Sequence, residues 1–309
     1  MAATPSIAAV GTFDGCHRGH QAIFSALVDE GRSRGLRPLV FSFSRHPLAL
    51  LAPSRMPSAL TDTTLRHEQI LACPGVADVV FLDFTADDFR ASARAFAERL
   101  RCDYGVEALV MGFNNTIGSD RADAAAIASA GIMPVAATVP PVMVAGAPAA
   151  SSRVREAVAE GRLDLAADIL GRPFTVRGHV VHGAAIGVTI GFPTANILPL
   201  DPTQLLPPPG VYAVDVTLPA APCPGARDSS RPYSGAVIRR GMANIGLRPT
   251  LADGRGLVLE VHIIDFDGDL YGRTIDIAFL RRLRDERPFP SLAALRHQLT
   301  LDLSSARQT

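Results

Sequence analysis

Short apolar runs in the first half of the chain alternate with segments whose apolar residues recur at helical spacing. Alternating strands and helices are typical of a parallel sheet that helices cover on both faces. We therefore predict that the chain begins with an α/β domain built on a parallel sheet. The predicted strands are residues 7–10, 39–43, 79–81, 108–111 and 134–138, and the predicted helices are 20–30, 64–72, 86–101 and 121–130.

The pattern changes after residue 171, where short runs with strand-like composition are separated by turn residues. Such runs predict a small antiparallel barrel, followed by a C-terminal helix at residues 292–303. Residues 151–171 are predicted to form one or two helices, and residues 219–233 a surface loop. We place the domain boundary at this change, which gives domains at 1–168 and 169–309. The predicted barrel strands are 175–181, 211–218, 234–238, 258–264 and 274–279.

The composition limits the partners that this chain is expected to bind. The formal net charge is zero, which gives no reason to expect a nucleic-acid or membrane-surface partner. Lysine is absent from the sequence, so arginine must hold any bound phosphate. The four cysteines form no Cys-x-x-Cys pair, which favours reduced thiols over a metal site. The sequence shows no signal-peptide pattern, and prolines interrupt the uncharged stretch 132–150, so we expect a cytoplasmic protein.

Residues 11–20 form a glycine-rich segment between the first predicted strand and the first predicted helix. A turn in that position presents backbone N–H groups that suit an anion, most often a phosphate. His17 and His20 lie three residues apart at the helix start and are candidates for holding ATP phosphates. The alternative is that one histidine caps the helix and the other lies on the surface. Asp14 either orients a histidine or caps the turn.

Three further segments in the first half carry candidate ligands. His46 follows the second strand and is either a ligand or a solvated turn residue. Asn114 lies in a polar loop after the fourth strand, where it bonds a ring edge or a phosphate unless the loop is an ordinary turn. Ser152 and Arg155 lie at the start of a predicted helix, where a hydroxyl and a guanidinium suit the binding of a triphosphate. The alternative is that Ser152 is an ordinary helix cap and Arg155 is solvated. Because ligands bind beyond the carboxyl ends of parallel strands, segments 11–20, 42–47 and 112–118 are predicted to share one cleft.

The second half has its own candidates. Thr194 and Asn196 lie two apart on an extended segment and face the same side, so they suit Mg²⁺ and phosphate unless the segment is a proline turn. Glu260 interrupts an apolar run; on the inward face of a barrel strand its carboxylate would need a task, such as a general base for a substrate hydroxyl. The alternative is that the strand turns Glu260 to solvent. Arg284 belongs to a basic run that mostly faces solvent, from which one arginine can reach a ligand.

These motifs follow one another over nearly the whole chain in an order that resembles the bacterial bifunctional riboflavin kinase/FMN adenylyltransferase family, also called FAD synthetase. The family motif Gly-x-Phe-Asp-Gly-x-His-x-Gly-His is matched at 11–20, and the Ser/Thr-x-x-Arg helix start by Ser152 and Arg155. The loop 112–118 is similar to the family's Gly-x-Asn-Phe-Thr-Phe-Gly. In the second half, Gly-Phe-Pro-Thr-Ala-Asn is intact at 191–196, Asn-Ile-Gly-x-Arg-Pro-Thr is matched at 244–250, Leu-Tyr-Gly fits at 270–272, and the family's catalytic glutamate falls on Glu260.

The resemblance implies a Rossmann-like nucleotidyltransferase domain with a parallel sheet, followed by a six-stranded antiparallel riboflavin kinase barrel with a terminal helix. It implies ATP, riboflavin and FMN as substrates and Mg²⁺ as cofactor, and a homo-oligomer is left open. The implied ATP-binding residues of the first domain are Gly11, Phe13, Asp14, His17, Gly19, His20, Asn114, Ser152 and Arg155, with His17 and His20 catalytic. For the kinase, Glu260 is the implied catalytic base, and Gly183, Gly187, Thr194 and Asn196 are the implied ATP-binding residues, of which Thr194 and Asn196 also bind the metal. The implied flavin-binding residues of the whole chain are His46, Asn244 and Arg284.

The chain departs from the family pattern in three places. Asn115 and Ile117 stand where the polar loop of the family has aromatic residues, which is expected to loosen flavin or adenine packing. Residues 44–47 read Ser-Arg-His-Pro in place of an acidic-Pro-His-Pro motif. The kinase glycine loop at 183–191 lacks two basic residues and a glycine, and so loses charge-assisted contacts to phosphate. We therefore expect a diverged member; the alternatives are a relative with one activity or a flavin analogue as substrate, and a non-catalytic flavin- or nucleotide-binding protein.

Overall fold

The computed structural model describes residues 4–46, 48–83, 85, 90–183, 191–219, 237–247 and 256–309. Within it the chain divides into two compact units. The first unit comprises Met1–Ser58 and Thr63–Ser151, and the second comprises Ala59–Asp62 and Ser152–Thr309. The domain boundary between residues 168 and 169 stays a prediction.

The first unit is built on a five-stranded sheet in the order β3-β2-β1-β4-β5. All neighbouring strands are parallel, as the strand–helix alternation predicted. The order reverses between β1 and β4, so the loops that follow these two strands border the crevice where ligands bind in such sheets. The strands are β1 Ser6–Val10, β2 Arg37–Phe43, β3 Asp78–Leu82, β4 Val106–Gly112 and β5 Val135–Val139, all within two residues of the predicted bounds.

Both faces of this sheet are buried. Ala8 and Val10 of β1 pack into a cluster with Leu109 of β4, while Ile7 and Ala9 pack on the opposite face. Burial on both faces explains why β1 is a continuous apolar run rather than an alternating one. The helices are α1 Arg18–Arg34, α2 Leu48–Leu51, α3 Thr63–Leu71, α4 Ala93–Tyr104 and α5 Ala124–Ser129, with a 3₁₀ turn at Pro53–Arg55 and a short hairpin of β6 Met143–Val144 and β7 Ala147–Pro148.

Helix α4 begins later than its apolar pattern suggested. The side chain of Ser92 accepts a hydrogen bond from the backbone N–H of Ala95 (3.3 Å), so Ser92 is the N-cap. Residues 86–89, which were predicted to begin this helix, lie outside the described part of the chain. The helix ends at Gly105, whose φ of 67° places it in the left-handed region that glycine adopts readily.

The second unit contains a closed barrel of six antiparallel strands in the order β10-β11-β12-β9-β8-β13. Strand β9 was predicted only as an extended segment. Strand β11 is longer than predicted because Gly241 and Asn244, which have low strand propensity, lie in its paired part. The strands are β8 Phe174–Val181, β9 Ala195–Pro199, β10 Gly210–Leu218, β11 Val237–Leu247, β12 Leu257–Ile263 and β13 Thr274–Arg284.

Three aromatic rings fill part of the barrel interior. Phe174, Tyr212 and Phe279 are each no more than 1% exposed, and the rings of Tyr212 and Phe279 meet edge to face at 5.5 Å. The chain also forms helices α6 Ser151–Ala159, α7 Leu163–Leu170 and α8 Leu292–Arg307, so residues 151–171 form two helices and the terminal helix is confirmed. Most of the predicted loop 219–233 lies outside the described residues. In the part of the chain that is described, every helix is too short or too polar to cross a membrane.

A short segment from the first half of the sequence belongs to the second unit. The backbone N–H of Ala59 donates to the carbonyl of Thr203 (3.0 Å). The buried amide of Gln204 donates to the carbonyls of Leu60 (3.1 Å) and Thr175 (3.2 Å). The hydrophobic pattern contained no sign of this insertion, because the segment is short and is held by backbone groups that every residue carries.

Candidate active sites

The turn after β1 has an unusual backbone conformation. Phe13 and Cys16 have φ of 48° and 40°, in the left-handed region that few non-glycine residues adopt, and Gly15 has φ of 79°. The thiol of buried Cys16 donates to the carbonyl of Phe13 (3.3 Å). The amide of Gln21 donates to the carbonyl of Cys16 (2.9 Å). Backbone strain of this kind persists only where the surrounding structure holds it, and it is concentrated at functional sites.

The two histidines of this turn are stacked on each other. The ring centroids of His17 and His20 are 3.6 Å apart, with 23° between the ring planes, and His17 is 6% exposed. The ring of Phe13 meets His20 edge to face at 5.2 Å. A Cβ atom added to Gly19 would lie 3.0 Å from Cε1 of His17, which explains why this position is glycine. The structure therefore brings together Phe13, His17, Gly19 and His20, and their contact with ATP stays a prediction.

These rings lie at the N-terminus of a long helix. His17 is the N-cap of α1, and the first turn of α1 contains no acidic residue. The first turn of a helix presents N–H groups that no helical carbonyl accepts, and its dipole favours negative charge. This arrangement suits a phosphate group that lies between the helix N-terminus and the imidazoles.

Other parts of the first unit support the turn from its sides. The amide of Asn115 donates to the carbonyl of Val10 at the end of β1 (2.7 Å), and Ile117 is buried in the core. The residues that replace family aromatics in the polar loop thus tie that loop to the sheet, while Phe113 and Asn114 are exposed. The Ser151 hydroxyl donates to the carbonyl of Asp14 (2.8 Å).

The remaining residues that were predicted for adenylyl transfer and flavin binding in this region differ in how far they are buried. Nδ1 of half-buried His46 accepts the backbone N–H of Leu48 (3.1 Å), which leaves the neutral-ring proton on Nε2. Asp14 is 5% exposed, and Gly11 packs against Phe13, since an added Cβ would lie 3.0 Å from its ring. Ser152 is exposed and Arg155 is partly buried on α6 in the second unit, and their contact with a triphosphate stays a prediction.

A row of side chains crosses the barrel of the second unit. Glu260 of β12 pairs with Asn196 of β9 on one side and with Asn244 of β11 on the other. Residues opposite each other on neighbouring antiparallel strands have their side chains on the same face, about 5 Å apart. The register continues around the barrel through Val211 to Arg284. Four predicted kinase-domain residues therefore lie in one row, although they are far apart in sequence.

This row lies on the outer face of the barrel. Leu259 and Val261, on either side of Glu260 in sequence, are each 1% exposed in the interior, so the alternation of β12 turns Glu260 outward. The inward position considered from the sequence is therefore wrong, and Glu260 is half-buried on the other face. A half-buried carboxylate on this face can meet a substrate hydroxyl directly.

The segment before β9 completes this region. A Cβ atom added to Gly183 would lie 1.9 Å from Nδ2 of Asn196, so the start of the glycine loop packs on that amide. Nδ1 of His262 lies 2.8 Å from the carbonyl of Pro193, which holds the segment that carries Thr194. Gly187 lies outside the described residues. A cavity of about 340 Å³ adjoins the segment, and Thr194, Val261, Asp267, Asp269 and Tyr271 are among its lining residues.

Two family models divide this chain between them. The model described as FAD synthetase matches residues 1–145, and the model described as riboflavin kinase matches residues 170–309. The bifunctional riboflavin kinase/FMN adenylyltransferase of Escherichia coli K12 is 37% identical over 97% of this chain and 91% of that protein. The chain belongs to this bifunctional family. The protein of the same name from Pseudomonas fluorescens is 34% identical over 97% of this chain and 92% of its own length.

A solved structure is similar over almost the whole chain. The crystal structure titled macrolide-efflux protein from Streptococcus pneumoniae has a TM-score of 0.84 and 33% identity, and the match covers 99% of this chain and 95% of that one. Efflux is named there for the Streptococcus pneumoniae protein and is not ascribed to this chain. The similarity supports the α/β sheet and the barrel as the folds of the two halves.

Within the family pattern, Arg284 has a contact that the sequence did not indicate. Its Nε donates to Oδ2 of Asp302 on α8 (2.9 Å), and the Asp302 side chain is 5% exposed. The amide of Gln298 donates to the other oxygen of Asp302 (2.8 Å). Arg284 thus ties the terminal helix to β13, and its contact with a flavin stays a prediction.

Arg66, which holds the turn of the first unit, was not predicted from the sequence, and Ser42 was included only as part of the segment 42–47. A signal was present for Arg66, because it lies one helical turn before buried Ile70 and so on the buried face of α3. An arginine at such a position needs a polar partner.

Proposed function

We propose that this chain phosphorylates riboflavin to FMN with ATP and then adenylylates FMN to FAD with a second ATP, releasing pyrophosphate. The observation that supports this most strongly is that each unit has its own candidate catalytic group. The first has a stacked histidine pair at the N-terminus of α1, and the second has Glu260 in register between Asn196 and Asn244. Family membership connects the two groups, because relatives of this chain carry both a riboflavin kinase and an FMN adenylyltransferase activity in their names.

In the first unit, a phosphate oxygen of FMN attacks the α-phosphorus of ATP. The new P–O bond forms as the bond from the α-phosphorus to the bridging oxygen breaks, and pyrophosphate leaves with that oxygen. His17, His20 and the first N–H groups of α1 stabilise the charge that develops on the α-phosphate. His46, which follows β2 of the same unit, is proposed to lie on the flavin side. Positioning and electrostatics suffice for this step.

In the second unit, Glu260 accepts the proton of the ribityl 5′-hydroxyl of riboflavin as that oxygen attacks the γ-phosphorus of ATP. ADP leaves, and FMN is the product. Asn244 and Arg284 lie in the same row as Glu260 and are proposed to contact the flavin. The cavity beside Thr194 is proposed to take part of the nucleotide.

The residues present suit Mg²⁺ at the kinase site. Thr194 and Asn196 offer neutral oxygen donors, and the Glu260 carboxylate lies opposite Asn196 in the register. Mg²⁺ prefers oxygen ligands and commonly combines few protein donors with substrate phosphates and water. When bound, it would neutralise charge on the phosphates. Among the described residues, no cluster of three or more His, Cys, Asp or Glu side chains is arranged for a metal.

The altered glycine loop favours one second candidate, a relative in which only adenylyl transfer remains. Residues 184–190 of that loop lie outside the described part of the chain. The second candidate therefore rests on the sequence alone, in which this loop lacks two basic residues of the family motif. In either case we place the protein in the cytoplasm as a prediction.

Product analysis separates these functions. Purified protein is incubated with Mg²⁺ and ATP and either riboflavin or FMN, and the flavins are resolved by chromatography. Both FMN and FAD from riboflavin are expected. FAD from FMN with no FMN from riboflavin would support the second candidate, and neither product would overturn the proposal.

A further inference from the structure

A buried arginine connects the carboxyl-terminal ends of three strands in the first unit. Arg66 projects from α3 and is 7% exposed. Its Nη1 donates to the carbonyl of Thr12 after β1 (3.0 Å), and its Nη2 donates to the carbonyl of Phe43 at the end of β2 (2.6 Å). The guanidinium carbon also lies 5.2 Å from the ring centroid of Phe81 on β3. Hydrogen bonds from a charged donor are stronger than those between neutral groups, so this is a firm connection.

The turn is held from both sides of its left-handed residues. Besides Arg66, the buried hydroxyl of Ser42 donates to the Thr12 carbonyl (3.1 Å). At the other end of the turn, the thiol of Cys16 approaches the backbone carbonyl of Arg66 at 4.0 Å, a weak contact. The two points that α3 contacts, Thr12 and Cys16, therefore enclose Phe13, and Phe13 and Cys16 both have positive φ values. A turn that is strained in this way would relax if its ends were released.

We propose that Arg66 is a positioning residue for adenylyl transfer, an inference that rests on the function proposed above. Arg66 holds the turn in the conformation in which His17, His20 and the N-terminus of α1 meet the α-phosphate. Through the Phe43 carbonyl it also holds the start of the segment that carries His46. Its action on the reaction passes through backbone carbonyls rather than through substrate.

Arginine is suited to this task and lysine is not. The guanidinium has a planar fork of donors, and two of its nitrogens reach two different carbonyls here. A lysine keeps the positive charge but offers one nitrogen, so it can replace part of the connection. Ser42→Ala removes the second donor on the Thr12 carbonyl and leaves Arg66 in place.

The test compares Arg66→Met, Arg66→Lys and Ser42→Ala in the full chain, with Arg101→Met as the matched control. Exposed Arg101 also donates to a carbonyl, that of Ile132 (3.1 Å), but Ile132 precedes the amino end of β5 and so lies at the other end of the sheet. For each variant, kcat and KM are measured for FAD formation from FMN and ATP. Riboflavin phosphorylation and the thermal unfolding midpoint are measured in the same preparations.

We expect Arg66→Met to lower kcat for FAD formation between about tenfold and 10²-fold, as misplacement of reacting groups does, with KM for FMN and ATP within about threefold of wild type. Riboflavin phosphorylation should be unchanged, and Arg66→Lys should recover part of the lost kcat. An Arg66→Met kcat within threefold of that of Arg101→Met would overturn the proposal.

Ser42→Ala keeps Arg66 and should lower kcat less than Arg66→Met does. Arg66→Lys decides the matter if Arg66→Met fails to fold or loses both activities together. A lower kcat for FAD formation with intact riboflavin phosphorylation supports the proposal, and an unchanged kcat overturns it. Failure of the proposed function gives a different result, since wild-type protein itself would then form no FAD from FMN, and the inference about Arg66 would fall with it.

Discussion

The turn after β1 and the row on the barrel present their candidate catalytic groups in different ways. The turn has left-handed residues, stacked rings and buried donors that hold its carbonyls, and much of it is inaccessible to solvent. The row consists of single side chains from separate strands on an outer face, brought into line by strand register. Activity at the turn should therefore be sensitive to small added atoms that displace its rings. Activity at the row should be sensitive to the loss of a single functional group.

The largest expected effect is on the row. Glu260→Gln should lower riboflavin phosphorylation about 10³-fold, because it removes the proposed general base while keeping the size of the side chain. FAD formation from added FMN should be unchanged, and both rates are measured by chromatography of the flavin products. Asp164→Asn, at an exposed carboxylate of α7 in the same unit, is the control and should leave both rates unchanged. Equal loss of both activities in Glu260→Gln would contradict the separation of the two sites.

The next largest effect tests how the end of the row is supported. Asp302→Asn should lower the free energy of unfolding by about 3 kcal/mol, because it leaves the largely buried Arg284 cation without its carboxylate. Asp285→Asn is the matched control: Asp285 is 82% exposed and lies 3.1 Å from Arg282, so its loss should cost at most about 1 kcal/mol. Urea unfolding followed by circular dichroism measures both. Equal losses would show that the Asp302 contact adds nothing beyond a surface pair.

A smaller change in the turn tests its sensitivity to space. Gly19→Ala should lower the rate of FAD formation about tenfold, because the added Cβ would lie 3.0 Å from Cε1 of His17 and must displace the ring. Its stability should be unchanged or slightly higher, because alanine favours a helix more than glycine by up to about 1 kcal/mol.

Gly35→Ala is the control for Gly19→Ala and should show the reverse result. Gly35 has φ of 66° with nothing within 4 Å of an added Cβ, so alanine there should cost about 1 kcal/mol of stability and leave FAD formation unchanged. If Gly19→Ala formed FAD as fast as wild type, the stacked rings of His17 and His20 would tolerate displacement. The proposed difference in sensitivity between the turn and the row would then be contradicted.

The smallest effect concerns the barrel interior behind the row. Burial raises the pKa of Tyr212 above its usual value of about 10. Just above pH 10, the phenol therefore stays neutral in the folded protein, while it ionises in the unfolded chain. The free energy of unfolding should therefore fall as pH rises above about 10. Tyr212→Phe should cost about 1 kcal/mol near pH 8, since it loses the hydrogen bond to the carbonyl of Pro208 (2.5 Å), but should lose less stability on going to pH 10.5. Urea unfolding at the two pH values provides the measurement, and parallel losses in wild type and variant would contradict it.

Much of the first unit could be predicted because its signals are local. Each strand of the parallel sheet is a short apolar run next to a helical segment, and the motif at 11–20 is continuous in sequence. The barrel was harder to predict: β9 is short, and β11 contains Gly241 and Asn244 among its paired residues. The position of Glu260 on the outer face also depends on which side the core occupies, and alternation alone leaves both sides open.

The sequence by itself determined the fold class and the family and predicted which residues would carry the chemistry, because these depend on local periodicity and on motifs that are continuous in the chain. The tertiary structure decided which distant residues meet. Arg66 reaches Thr12 over 54 positions, Glu260 lies between Asn196 and Asn244, and Arg284 pairs with Asp302 on the terminal helix. Such contacts follow from helix packing, strand register and burial, which are properties of the folded chain that no single segment of the sequence contains.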